Sequence, residues 1–154
     1  MSPPNVAPDF LPSASLEMLA ARAALLKRLR TFFDTRDFLE VETPLLSQDV
    51  VVDRHLDPFS VTLFADPREP QVGPKLWLQT SPEFAMKRLL VAGKEKLGSI
   101  YQITRAFRGG EVGPLHNPEF TMVEWYRIGD DYAAGMQLLE TWRRRCSAWE
   151  RRND

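Results

Sequence analysis

Two runs of alternating side chains dominate the chain: "SIYQITRAFR" at residues 99–108 and "FTMVEWY" from Phe120 to Tyr126. Between them stand Gly109, Gly110, Gly113 and Pro114, residue types that form turns because glycine accepts positive φ and the proline ring fixes φ at about −65°. Strand-forming runs on either side of such a segment predict a long antiparallel hairpin. Side chains alternate across a strand, so the register decides which residues meet, and a slip of one residue would scatter them. If Arg108 lies opposite Pro118, Gln102 faces Glu124 and Ala106 faces Phe120. Gln102, Arg108, Phe120, Glu124 and Tyr126 then share one face of the sheet.

Glu124 is the residue this strand has to explain. Its neighbours on one face are Phe120, Met122 and Tyr126, and those on the other are Thr121, Val123 and Trp125, a pattern that predicts burial on both sides. A buried carboxylate requires pairing, and breaking such a pair costs about 3–5 kcal/mol. Two partners satisfy that requirement on the residues alone: a protein arginine, or a cationic ligand in a water-filled cavity. An arginine fork, an aromatic ring, a carboxylate and a phenol on one face suit a ligand bearing a phosphate, a base and an ammonium group.

The remaining segments predict flanking helices and shorter strands. Leu16, Leu19, Ala23, Leu26 and Phe33 recur at helical spacing from Ser15 to about Asp37. "FLEVETPLL" alternates as a strand and ends at Pro44, which cannot donate to a ladder. "FSVTLF" and Lys75 to Gln79 are further strands. Ser81 is expected as an N-cap, Pro82 as the first helical residue, Glu83 in the first turn and Gly93 as the stop. Asp130 or Asp131 is expected to cap a last helix whose stripe is Tyr132, Met136, Leu139, Trp142, Cys146 and Trp149.

Composition narrows the function classes. With 154 residues the chain is about one domain, and 20 basic against 21 acidic residues leave a formal charge of −1. No global charge therefore draws it to nucleic acid or anionic lipid. One cysteine allows no intrachain disulfide. With a start lacking a basic and apolar leader, this predicts a cytoplasmic protein. No metal site is expected, and His55 is read as structural.

"FLEVETPLL" resembles motif 1 of the class II aminoacyl-tRNA synthetases, and "FRGGEVGPLHNPEFTMVEWY" resembles their motif 2 in the lysyl-tRNA synthetase form. "TSPEFAMKRLLVAG" is similar to the segment between these motifs, and the likeness runs from about Pro12 to Leu139. Within the family the chain looks most like short paralogues that attach a lysine-type amino acid to a lysine of translation elongation factor P. "PSAS" and "HLDPF" carry that finer likeness, as does the lack of room before Ser15 for an anticodon-binding domain.

The resemblance implies an α+β fold, a class II synthetase-like antiparallel sheet flanked by helices and incomplete. A loose arm at 1–14 would precede a partial catalytic domain at 15–154 that carries motifs 1 and 2 only. It implies that Arg108 binds the α-phosphate of ATP, Phe120 stacks on adenine and His116 approaches the distal phosphates. Glu83 would receive the α- or β-ammonium of lysine or (R)-β-lysine, and Glu124 and Tyr126 would face its side-chain ammonium. The family places a carboxylate two residues after the arginine to read the adenine amino group. Gly110 stands there, with Glu111 following as the candidate ATP contact. Pro44 and the motif-1 helix would form a homodimer interface.

Mg2+ is expected with ATP, its ligands lying outside this chain. The family continues into further strands and motif 3, so an open sheet edge and poor solubility or obligate oligomerisation are expected. Four readings follow from the resemblance: the elongation factor P ligase, a lysyl-tRNA synthetase fragment charging tRNA(Lys), a noncatalytic amino-acid-binding or dimerisation module, and an inactive remnant.

Overall fold

The computed structural model describes residues 14–110 and 112–153. Except for Ala14, the arm expected at 1–14 lies outside the described residues, as does Glu111.

Helix α1, Leu16–Asp34, begins at Ser15, whose hydroxyl accepts the Met18 amide at 3.3 Å. That bond satisfies an amide with no partner inside the helix. Only the second half of α1 is buried, through Leu29, Phe32 and Phe33, while Leu16 and Leu19 remain exposed. The expected stripe thus extends too far toward the N-terminus.

The segment expected as one strand before Pro44 divides into two. Strand β1, Leu39–Glu40, pairs with a later strand, and Val41 donates its amide to the Tyr101 carbonyl at 2.9 Å. Pro44 follows without a donor, and the chain then enters β2, Leu46–Ser47, in a second sheet. Strands β3, Ser60–Thr62, and β4, Lys75–Leu78, complete that antiparallel sheet in the order β2-β4-β3.

Helix α2 covers Glu83–Gly93 and leads into a 3-10 turn at Lys94–Lys96. Pro82 occupies the cap position rather than the first helical one, and Ser81 Oγ accepts the Glu83 amide at 3.4 Å. The left-handed residue after α2 is Lys94, at φ 47°. Gly93 is needed for a different reason, because a Cβ there would collide with the Leu97 side chain.

Strands β5, Ile100–Phe107, and β6, Glu119–Tyr126, form the expected hairpin. Gln102 lies opposite Glu124 and Ala106 opposite Phe120, the register read from the sequence. The sheet order is β1-β5-β6, with β1 parallel to β5. The fold is therefore α+β, with one parallel pairing beside the antiparallel ones. β6 lies at the edge of its sheet and is half-buried or exposed along its length, not buried on both faces as its apolar content suggests.

Gln79 joins the two sheets. Its amide donates to Leu45 O and its carbonyl accepts from Phe107, both at 2.9 Å. Its Nε2 donates to Thr104 Oγ1 at 3.0 Å and to Arg105 O at 2.7 Å.

One face of the hairpin is dry. Phe33 stacks on Tyr101 with centroids 4.5 Å apart and meets Phe38 at 5.2 Å and Trp125 at 5.7 Å. Burial of each such ring contributes about 1.5–3 kcal/mol. Tyr101 points its hydroxyl at Asp34 Oδ1, 2.9 Å away, and Glu40 Oε2, 3.1 Å away, so one proton serves two carboxylates. Glu40 also accepts from Arg30 Nε, which ties α1 to β1 and β5.

Helix α3, Tyr132–Asn153, starts at Asp131, whose carboxylate accepts the Ala134 amide at 2.8 Å. Its buried face is set by Leu138, and Trp142 meets Phe32 edge-on at 5.3 Å. Tyr132, Met136 and Leu139 of the expected stripe are exposed instead. The Trp149 side chain lies outside the described side chains.

Candidate functional site

The other face of the hairpin is polar. Gln102 and Thr104 of β5 are buried there, Gln102 accepting the Thr43 hydroxyl at 3.1 Å and Thr104 accepting from Gln79. Packing these short polar groups against one another leaves a firm floor on which longer side chains of β6 and α2 stand.

At one end Arg108 folds over Phe120, with its guanidinium carbon 5.1 Å from the ring centroid. Arg108 Nε also donates to the Thr80 carbonyl at 3.4 Å, and the Arg108 amide donates to Pro118 O at 2.9 Å. The hairpin register brings Arg108 and Phe120 together, and the turn between β4 and α2 orients the guanidinium. Such a cation–π contact contributes about 0.5–1 kcal/mol at an exposed position.

At the other end Tyr126 Oη donates to Glu124 Oε2 at 3.4 Å, two residues away on the same strand. Burial raises the Glu124 carboxyl above its ordinary value, and the charge of Glu83 adds to the shift. The Tyr126 hydrogen bond and the charges of Lys87 and Arg108 act in the opposite direction. Among the described residues Glu124 has no ion pair. Burial also raises the Tyr126 phenol, and the Glu124 charge raises it further.

Glu83 stands in the first turn of α2, where its charge complements the helix dipole. Its Oε1 accepts from Lys87 Nζ at 2.5 Å, a pairing one helical turn apart. Two carboxylates and two cations therefore gather over one sheet face: Glu83, Glu124, Lys87 and Arg108. Lys87 was not singled out from the sequence, although its spacing of four from Glu83 was a visible signal. Thr80 had no comparable signal, because its contribution to Arg108 is a backbone carbonyl.

The other expected residues are placed less centrally. His116 is exposed and closes a tight turn by exchanging amide hydrogen bonds with Gly113, both at 3.1 Å. Pro44 is exposed beside Leu45 and Leu46, which are 40% and 37% exposed. Among the described residues no group of three His, Cys, Asp or Glu side chains could hold a metal ion. No helix among them is long and apolar enough to cross a membrane. A cavity of about 1350 Å³ lies between α1 and α3, lined by Ala24, Phe32, Met136 and Trp142 among others, on the face away from these charges.

Comparison with known proteins agrees with the motif pattern. The family model of the tRNA synthetases class II (D, K and N) matches residues 9–148. The chain is also 52% identical over 132 residues to an elongation factor P–(R)-beta-lysine ligase of Vibrio cholerae serotype O1, a match covering 86% of this chain and 39% of that protein. The chain thus spans about two fifths of the length of that relative. A match over nearly all of the two sheets and their helices, including the hairpin that carries Arg108 and Glu124, means that the chain belongs to the class II tRNA synthetases of the D, K and N group.

Proposed function

We propose that this chain carries nucleotide and amino-acid pockets of an ATP-dependent ligase that activates lysine or (R)-β-lysine and passes it to a lysine of translation elongation factor P. The observation that supports this best is Glu124, a half-buried carboxylate with a phenol neighbour and no ion pair among the described residues. A substrate ammonium is the partner such a group calls for. Glu83 takes the second ammonium, exchanging its Lys87 contact for the ligand. The name of the Vibrio cholerae relative supports both the amino acid and the acceptor.

At the other end Arg108 presents its fork to the α-phosphate, Phe120 stacks on the base and His116 reaches the distal phosphates. Glu111 is a further ATP contact in this reading. The substrate carboxylate attacks the α-phosphorus, pyrophosphate leaves, and an aminoacyl adenylate remains. The charge that builds on the phosphoryl oxygens is stabilised by the guanidinium already in place. The acceptor lysine amine then attacks the acyl carbon and AMP leaves. Exposed Pro44, Leu45 and Leu46 suit a homodimer surface.

The test is amino-acid-dependent ATP–pyrophosphate exchange, comparing lysine with (R)-β-lysine and using Arg108→Ala as control. Exchange lost in the variant is the expected result. Saturable amino-acid binding by a folded chain without exchange would show a binding module instead, and charging of tRNA(Lys) would move the acceptor from protein to RNA.

A further inference from the structure

The root of the loop after Arg108 is held by a segment outside the hairpin. Gly109 donates its amide to the Asp57 carbonyl at 2.6 Å, and the two residues form an antiparallel bridge. Gly110 follows at φ 74°, and among the described residues other than its chain neighbours a Cβ there would approach Asp57 Oδ2, at 3.6 Å. The Asp57 carboxylate therefore lies beside the place where a side chain at position 110 would begin, at van der Waals distance from it.

Several acids around the two sheets and α2 are committed to a cation, and Asp57 is not. Glu119 pairs with Arg105 at 3.4 Å, Asp49 with Arg88 at 3.6 Å and Glu83 with Lys87 at 2.5 Å. Among the described residues the Asp57 carboxylate has no hydrogen bond or ion pair, and the residue is exposed. Its backbone is anchored one residue from Arg108, whose guanidinium covers the Phe120 ring.

An aromatic platform accepts any base, because every base has a π-face, so Phe120 alone does not select. Selection requires a group at the base edge. A carboxylate accepts hydrogen bonds only, and it repels a carbonyl oxygen at the position where adenine carries an amine. Gly110, whose φ of 74° favours glycine, leaves the space in front of the Asp57 carboxylate free of a side chain of its own.

We infer that Asp57 is the specificity-determining residue of the nucleotide site, its carboxylate accepting the exocyclic amine of an adenine base stacked on Phe120. This rests on the ATP reading above. The Asp57 bridge to Gly109 uses backbone atoms, so replacement of the side chain leaves it in place.

The experiment is calorimetric titration of the full chain with ATP and with ITP, which carries a carbonyl oxygen in place of the amine. Wild type binds ATP about tenfold more tightly than ITP, the worth of one good hydrogen bond to a charged group. Asp57→Ala brings the ratio close to one, and Asp57→Asn, which keeps a carbonyl acceptor, gives an intermediate ratio. Adding Gly110→Asp to Asp57→Ala restores part of the preference, because aspartate tolerates positive φ better than most residues. A wild-type ratio near one, or an unchanged ratio in both Asp57 variants, would overturn the inference while leaving ATP binding intact. Absence of binding by either nucleotide to a chain that is folded by circular dichroism would overturn the ATP reading, and this inference with it.

Discussion

The two faces of the β5–β6 hairpin are built from alternate residues of the same strands, yet they do opposite work. Toward α1 and α3, Tyr101 and Trp125 meet Phe33, and Ile103, Val123 and Trp142 pack on the same cluster. Toward α2, Arg108, Glu124 and Tyr126 stand over the buried Gln102 and Thr104. The dry face supplies stability, and the polar face spends some of it by partly desolvating a carboxylate that has no ion pair among the described residues. The contrast teaches that a single register sets both, because each residue shifted along the strand would also change sides.

The largest effect is expected where that comparison is broken from the dry side. Phe33→Ala removes a ring that touches Phe32, Phe38, Tyr101 and Trp125, and costs about 3–5 kcal/mol. Urea denaturation measures it, and a midpoint close to wild type would mean that α1 does not carry the core.

On the polar side Arg108→Ala should weaken ATP binding about tenfold to a hundredfold, since hydrogen bonds to charged groups are worth about 1.5–3 kcal/mol. Stability should change little, because in the free chain the side chain makes one long hydrogen bond and one ring contact. Parallel loss of fold and binding would assign Arg108 to structure rather than to the ligand.

Glu124 sharpens the comparison through pH. Its carboxyl is raised above the ordinary 4.5 in the folded chain, so its contribution to stability is full below that ordinary value and is lost as pH rises through the raised one. In the proposed function amino-acid binding uses the carboxylate and should run the other way, weakening as pH falls through the same window. Glu124→Gln should flatten both profiles and weaken lysine binding about tenfold. A binding profile that keeps its pH dependence in the variant would transfer the role to another acid.

The smallest effect is expected at the exposed pair of Arg105 and Glu119, 3.4 Å apart with side chains about half exposed. Arg105→Ala should cost no more than about 0.2–1 kcal/mol, and high salt should reduce the difference.

Much of the site was legible because strand alternation is a strong rule. The register placing Gln102 opposite Glu124 and Ala106 opposite Phe120 follows once Arg108 is set opposite Pro118, and it is present in the structure. Helix positions were less legible where periodicity gives a stripe without saying how much of it is covered. Leu16 and Leu19 fit the α1 stripe and remain exposed, while Leu138 lies off the anticipated α3 stripe and is buried. The parallel pairing of β1 with β5 and the division at Pro44 were not readable, because both depend on which distant strand offers hydrogen bonds.

By itself the sequence determined the hairpin, the alternation that lets Arg108, Phe120, Glu124 and Tyr126 share a face in one register, and the family, since these rest on residue type and spacing. Only the tertiary structure decided that β6 is an edge strand, that Lys87 holds Glu83, and that Asp57 stands beside Gly110. The physical reason is that local rules act over a few residues, whereas burial and charge pairing depend on segments the chain brings together only when folded.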